Sequence, residues 1–385
     1  MNQYNRLHRI ILPILFLLSP SLKGQVIDLA LPSESYSVSP DGHTLWTWKG
    51  MNATLNMSLD PVLRGIDTIA SGATYYLDSL GHVAGFPFLE ELLLPPTLKH
   101  IASGAFYCPY LKNISFNSGL ESLEQWAFFD GIYTELHLPS TLRDYAEGAI
   151  VGRAINEIHV AEGSEYLSVQ DRCLVDLRHR TLLLYPSGTL EAQPSLPTEV
   201  IRIGRYAFAM SPYVTHLQIP KGVTSIGQDA FRDCSSLITL DLPGTITQLE
   251  GLPWVGSPLD TLIIRSVFPP HVEPQTIPLG IHPLHLYVPQ EAIHLYTQSP
   301  FWQKVARRIE SISDLEEVRM ALSSEHRPYR LVGNTLMLNL PTNSTARLYD
   351  KEGTLLKQWT SSASYTLSQG VYLLQIGSES YKITL

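Results

Sequence analysis

The sequence predicts a mostly β solenoid followed by a small C-terminal β-sandwich, and three observations carry the prediction. The first is a repeated string. IGQDAFRDCSSL at residues 226–237 has weaker copies in IASGAF (101–106), LEQWAF (123–128), YAEGAI (145–150) and IGRYAF (203–208), 22 or 23 residues apart with one longer gap. A period in that range marks a solenoid, in which each unit buries its apolar face only against its neighbours. The second is a paired slot: Ala105, Ala127, Ala149, Ala207 and Ala230 are followed by Phe106, Phe128, Ile150, Phe208 and Phe231. Small-then-large at fixed spacing suits coils that share a single continuous interior, where one backbone passes close and a ring fills the remaining width. The third is a change of rhythm. From Leu331 to Leu385 apolar and polar residues alternate in short runs between turn signals, the pattern of a compact sandwich.

The segments follow in order. Residues 1–24 read as a signal peptide: Arg6, His8 and Arg9 precede the apolar run Ile10–Leu18, broken only by Pro13. That run is too short to span a bilayer, and nothing downstream reads as a transmembrane segment. Cleavage after Gly24 removes Arg6, Arg9 and Lys23 and takes the formal charge from −9 to −12. An acidic product with no basic stripe is not a nucleic-acid binder. Residues 25–60 form an N-terminal cap, a hairpin of Tyr36–Val38 and Leu45–Trp48 around Pro40-Asp41-Gly42 that closes the open solenoid edge.

Residues 61–265 carry the repeats. In Glu91–Pro95 alternation turns Leu92 and Leu94 inward and Glu91 and Leu93 outward. Pro95 stops the strand because it cannot donate a ladder hydrogen bond. Leu98 and Ile101 re-enter the core, and Ser103-Gly104 turns the chain toward Ala105-Phe106. Residues 266–315 read as the C-terminal cap, with Trp302, Val305, Ala306 and Ile309 at helical spacing over the last coil. Residues 316–328 form a linker with a solvated Glu316-Glu317 pair, and residues 329–385 are the sandwich.

Cys108 and Cys234 fall in one slot of two repeats five or six steps apart. At ~4.8 Å per stacked strand they lie ~25 Å apart, beyond the ~7 Å that a disulfide tolerates. They are expected to be packed thiols.

The repeats resemble the BspA-like subclass of bacterial leucine-rich repeats. Ile219-Pro220, Val223–Gly227, Ala230-Phe231 and Cys234–Leu237 match that pattern, a strand ending I-P, then V-T-S-I-G, A-F and C-S-S-L. Residues 157–188 are similar to the longer unit of that family, whose hairpin around Asp176–Thr181 accounts for the 36-residue step from Val160 to Leu196. Asn117 and Ala161 stand where the strand-ending proline belongs, and Thr74 where the phenylalanine does. The tail resembles the C-terminal sorting domain of type IX secretion cargo in Tyr349, Asp350, Gly353, Gly370, Val371, Tyr372 and Lys382. The resemblance implies that secretion machinery reads the tail and that the protein is released or held at the outer cell surface. The P-N-P start of such tails is missing, and Ser368-Gln369 replaces the usual proline before Gly370.

No phosphate loop, zinc-spaced cysteine pair, HExxH or GxSxG string occurs. His271, His282, His285 and His294 lie close together in sequence but lack carboxylate or thiol partners at ligand spacing, so no metal, cofactor or catalytic residue is expected. The outward rows hold the candidate site. Leu93, Ser115, His137, His159, Gln218, Asp241 and Ile263 stack in one row, and Glu91, Asn113, Glu135, Glu157, His216, Thr239 and Thr261 in the row two residues earlier. Such a face binds an extracellular protein or polysaccharide by area and shape. The expected function is a secreted or cell-surface adhesion module. The alternatives are a structural surface-layer component without a discrete ligand, or a hydrolase built on the solenoid.

Overall fold

A computed structural model describes residues 30–74, 76–77, 83–84, 88–273, 284–314, 329–332, 334–338, 345–351, 354–361, 363–376 and 379–384. The leader, the linker, His282 and Gly353 lie outside the described residues. The chain divides into two compact units, one reaching Ile309 and one starting at Glu310.

The first unit is a β-solenoid whose coils stack parallel and in register along three walls. The outer wall carries the strands Thr54–Asn56, Glu91–Leu93 and Asn113–Ser115, then Glu135–Leu138 with Glu157–Val160, then His216–Gln218, Thr239–Leu242, Thr261–Ile264 and Leu284–Val288. A second wall pairs Leu45, Ile69, Ile101, Leu123 and Tyr145 in succession. A third pairs Phe106, Phe128 and Ile150. At the N-terminal end Tyr36–Val38 pairs antiparallel with Thr44–Trp48, which runs on parallel to Thr68–Ile69.

The rings form a file, as the repeat predicts. Phe106 stacks on Phe128 at 4.9 Å between centroids, and Phe208 meets Phe231 at 5.3 Å. Tyr185 from the long unit fills the ring position next to Phe208, at 4.8 Å. In the first coil Thr74 replaces the ring by bonding: its hydroxyl donates to the Ala105 carbonyl at 3.0 Å and accepts from the Tyr107 N–H at 3.1 Å. Thr74→Val is expected to destabilise the unit by about 1 kcal/mol, read from the urea midpoint, because it removes a buried hydroxyl that bonds both the Ala105 carbonyl and the Tyr107 N–H.

The residue before each Ala-Phe pair takes a left-handed conformation: Gly104, Trp126, Gly148, Tyr206 and Asp229 have φ of 63°, 58°, 72°, 58° and 57°. Gly148 is doubly required there, since a Cβ would come within 2.7 Å of the Tyr206 ring. A Pro-x-Thr element recurs after the outer-wall strands. The hydroxyls of Thr97, Thr141 and Thr245 each donate to a carbonyl of the preceding coil, at Ile66 (2.6 Å), Leu120 (2.7 Å) and Val223 (2.8 Å).

The interior is two cores rather than the single continuous one expected. One runs from Leu45 to Leu184 and the other from Cys173 to Val305. The dividing wall is the long unit's hairpin, Cys173–Asp176 with Thr181–Leu184, whose residues are all buried. Leu174 joins the first core while Cys173 and Val175 join the second, because strand alternation gives the hairpin two apolar faces. Both ladders stop there. In other coils the next backbone N–H reaches the carbonyl equivalent to that of Arg143 or Asn156. Here Arg178 Nη2 donates to the Arg143 carbonyl, and Arg172 Nη2 lies 3.5 Å from the Asn156 carbonyl. Ion pairs stitch the break: Arg202 binds Glu147 at 2.7 and 3.0 Å and Glu250 at 2.9 Å. Burial opposes the Arg202 charge, but the two carboxylates outweigh it and raise the guanidinium above its ordinary pKa.

At the C-terminal end a short helix, Pro300–Val305, buries Phe301, Trp302 and Val305. Ala306 and Ile309 do not continue it. They lie on the strand Ala306–Ser311, because the backbone turns extended at Ala306 (φ −101°, ψ 129°) to join the sheet beyond Leu284–Val288. Cys108, Cys173 and Cys234 are buried free thiols. Burial pushes the Cys108 and Cys234 thiols up to about 12.

The second unit holds two antiparallel sheets. Tyr329–Val332, Thr335–Leu338 and Ala363–Thr366 form one; Leu355–Trp359, Ala346–Tyr349, Val371–Ile376 and Glu379–Thr384 form the other. Leu336, Ala346, Leu348 and Leu374 centre a shared core, the arrangement of a small sandwich.

Candidate functional site: the outer wall

The outward rows are real but interrupted. Glu91 lies in register with Asn113 and Leu93 with Ser115; Glu135 lies opposite Glu157 and His137 opposite His159. After the hairpin, His216 lies opposite Thr239 and Gln218 opposite Asp241. One member was missed by sequence reasoning. The N–H groups of Thr215 and His216 donate to the Ala192 carbonyl, as those of Ile238 and Thr239 do to Thr215. Residues 193–196 therefore occupy a strand position, with Gln193 and Ser195 exposed and Pro194 and Leu196 buried. The spacing to Leu196-Pro197 signals it, but Pro194 removes a ladder donor and disguises the strand.

Side-chain exposure divides the wall. Glu91, Asn113, Ser115, Glu135, His137, Glu157, His159, His216 and Gln218 are exposed, and Leu93 is half-buried. The expected outward row fails at its C-terminal end: Thr239 is 8% exposed and Ile263 fully buried. Ile263 sits in register between Asp241 and Tyr287. Arg265 clamps Asp241 with two bonds of 2.9 Å, so bulk on both sides closes that stretch. Asp241 is half-buried in this fork.

The centre of the exposed stretch is a quartet. The His137 and His159 rings stack at 4.7 Å and 10°. His137 Nε2 lies 3.4 Å from Glu135, and His159 Nε2 lies 3.3 Å from Glu157. Parallel in-register pairing aligns like with like, so two imidazoles and two carboxylates form adjacent rows. A groove of about 310 Å³ runs beside the imidazoles, with Phe116, Pro139 and Val160 in its lining. Phe116 is anchored edge-on against Phe128 at 5.5 Å. The arrangement offers hydrogen-bonding edges and an adjacent apolar strip.

Other histidines are dispersed. His271 pairs with Glu273 at 3.3 Å, and His285 is half-buried in its strand. Among the described residues no three His, Cys, Asp or Glu side chains gather as a metal-ligand set. No described helix is long and apolar enough to cross a membrane.

In the tail, several motif residues have roles within the fold. Asp350 accepts from the Thr354 N–H at 2.7 Å and closes the hairpin turn. The Tyr372 hydroxyl bonds the Ser368 hydroxyl at 2.8 Å and donates to the Ser368 carbonyl at 3.1 Å, with the ring packed beside Gly370. Tyr349 lies in one cross-strand row with Leu355 and Leu373, which continues to Lys382. Leu355 and Leu373 are exposed, as is Val371.

Residues 85–173 and 191–267 match the BspA type leucine rich repeat region in six copies. Similar solved structures include the pneumococcal vaccine antigen PcpA, at 18% identity over 75% of this chain and 99% of that chain, with a TM-score of 0.45. A leucine rich cell surface protein from Faecalibacterium prausnitzii is 17% identical over 74% and 95%, with a TM-score of 0.42. A leucine-rich repeat protein from Eubacterium ventriosum is 16% identical over 65% and 74%, with a TM-score of 0.41. No curated protein matches the chain.

Proposed function

We propose that this chain, built around BspA-type leucine-rich repeats, is an exported, non-catalytic binding module that adheres to an extracellular protein or polysaccharide through its outer wall. The observation that carries the reading is the exposed quartet Glu135, His137, Glu157 and His159. Its four side chains contribute nothing to either buried core, so folding leaves them free for recognition. The apolar leader supports export. The tail acts as a type IX sorting signal in this reading, with the exposed Leu355 and Leu373 beside the half-buried Tyr349 as the surface that secretion machinery would meet. Deleting residues 329–385 is expected to retain the protein inside the cell envelope, seen by fractionation; unchanged export removes the sorting role.

The wall is tested with beads carrying the full chain on immobilised matrix proteins and polysaccharides. Retention is expected for the wild type and lost in Glu135→Ala/His137→Ala/Glu157→Ala/His159→Ala with an unchanged melting temperature. Equal retention of the quadruple variant excludes the wall, and retention on no surface favours a structural layer component.

A further inference from the structure

Where the second-wall ladder breaks, the gap between the edge strand Asp144–Tyr145 and the hairpin strand Thr181–Leu184 opens as a cleft of about 620 Å³. That is the size range of small-molecule sites, roughly 300–1,000 Å³. Leu123, Tyr145 and Leu183 contribute apolar edges, and the polar lining includes Glu124, Asp144, Glu147, Arg178, His179 and Arg202.

The charges in this cleft neutralise one another. Glu147 is occupied by Arg202 and by the Arg205 N–H at 2.8 Å. Asp176 takes His179 Nδ1 at 2.7 Å and the backbone N–H groups of Arg178 and His179 at 2.8 and 3.2 Å. Burial pushes the Asp176 carboxyl upward, but these bonds outweigh it and hold it below its ordinary value. The bond to Nδ1 orients the imidazole and leaves Nε2 on the far side of the ring. Arg178 lies 5.0 Å over the Tyr166 ring, caps the Arg143 carbonyl and passes 3.9 Å from Asp144.

Such cross-pairing leaves no block of one sign to select a phosphate or a strongly charged peptide. What remains is directional capacity: Asp144 beyond its pairing with Arg143 at 3.4 Å, Glu124 beyond its bond to the Ser103 N–H, His179 Nε2 and further Arg178 N–H groups. Planar acceptors and donors above apolar edges suit a ring that carries hydroxyls on its rim and C–H groups on its faces. We propose that this cleft binds a short run of uncharged sugar residues, as a site separate from the outer wall.

The full chain is titrated calorimetrically with cellohexaose, maltohexaose, mannohexaose and hexa-N-acetylchitohexaose to about 10 mM, a range that captures millimolar affinity. At least one is expected to bind saturably. Asp144→Ala and His179→Ala should each weaken that binding about tenfold or more, a loss of ~1.4 kcal/mol. Asp144 is solvent-facing, at 61% side-chain exposure, so the melting temperature of Asp144→Ala should hold; His179→Ala removes the Nδ1 bond to the largely buried Asp176 carboxyl and is titrated well below its own, lower melting temperature. His137→Ala/His159→Ala should leave the titration unchanged, which separates this site from the outer-wall reading. Binding of none of the four, or binding lost with the outer-wall pair and kept in the cleft variants, overturns the proposal.

Discussion

Phe208→Ala is expected to destabilise the solenoid by ~3–5 kcal/mol, the cost of removing a buried ring and leaving a cavity that rigid neighbours cannot fill. Phe208 is 1% exposed and lies between Tyr185 and Phe231, so two ring contacts vanish with it. The loss should also be local. Solenoid stability is approximately a sum of coil and interface terms, and the hairpin wall separates the two cores. Hydrogen exchange in Phe208→Ala should therefore accelerate most in coils after Thr181, while the amides of Phe106–Tyr107 and Phe128–Gly131 stay protected. Equal acceleration at both ends would contradict a divided interior.

Arg202→Ala should cost about 2–3 kcal/mol, somewhat below the usual figure for breaking a buried pair because the site is partly solvated. Its side chain is 20% exposed, and those of Glu147 and Glu250 are 25% and 24%. Truncation leaves the two carboxylates facing an empty space. The effect should depend on pH. Burial raises the Glu250 carboxyl, but the Arg202 and Arg205 guanidinium groups outweigh it and depress the pKa. A depressed carboxyl contributes stability that is fully present above its unfolded pKa, about 4.3. That stability is lost as pH falls through the lower folded value. The gap in melting temperature between wild type and Arg202→Ala should narrow from pH 7 toward about pH 3. A constant gap would mean that Arg202 acts only through packing.

Much of the solenoid was legible because its period is local. Each Ala-Phe pair announces a wall, and each strand exit announces a turn, within one 22- or 23-residue unit. The N-terminal hairpin was equally visible from Pro40-Asp41-Gly42. What escaped depends on partners far along the chain. Glu147 and Arg202 are 55 residues apart, and nothing local marks them as a pair. The hairpin's second buried face was hidden because short apolar runs such as Cys173–Val175 and Leu182–Leu184 read the same in a one-sided as in a two-sided strand. Tyr185 replaces a phenylalanine with different spacing from the preceding strand, so the slot pattern skips it. In the C-terminal cap, Trp302, Val305, Ala306 and Ile309 fit a helical period, but strand pairing ended the helix at Val305. The outer wall's rows followed from alternation alone; the burial of Ile263 did not, since it depends on the Asp241–Arg265 fork and Tyr287 alongside.

The central claim is that coils stack parallel and in register, holding His137 and His159 side by side on the exterior. Replacing both with cysteine tests it directly. Residues paired across adjacent strands fall within the ~4.4–6.8 Å between Cα atoms that a disulfide needs. The three native thiols are buried and should stay unreactive in the folded protein. Mild oxidation of the folded His137→Cys/His159→Cys protein, followed by thiol counting after denaturation, is expected to show one intramolecular bond and three free thiols. Two additional free thiols, or bonds formed only between molecules, would contradict the stacked register on which the binding wall depends.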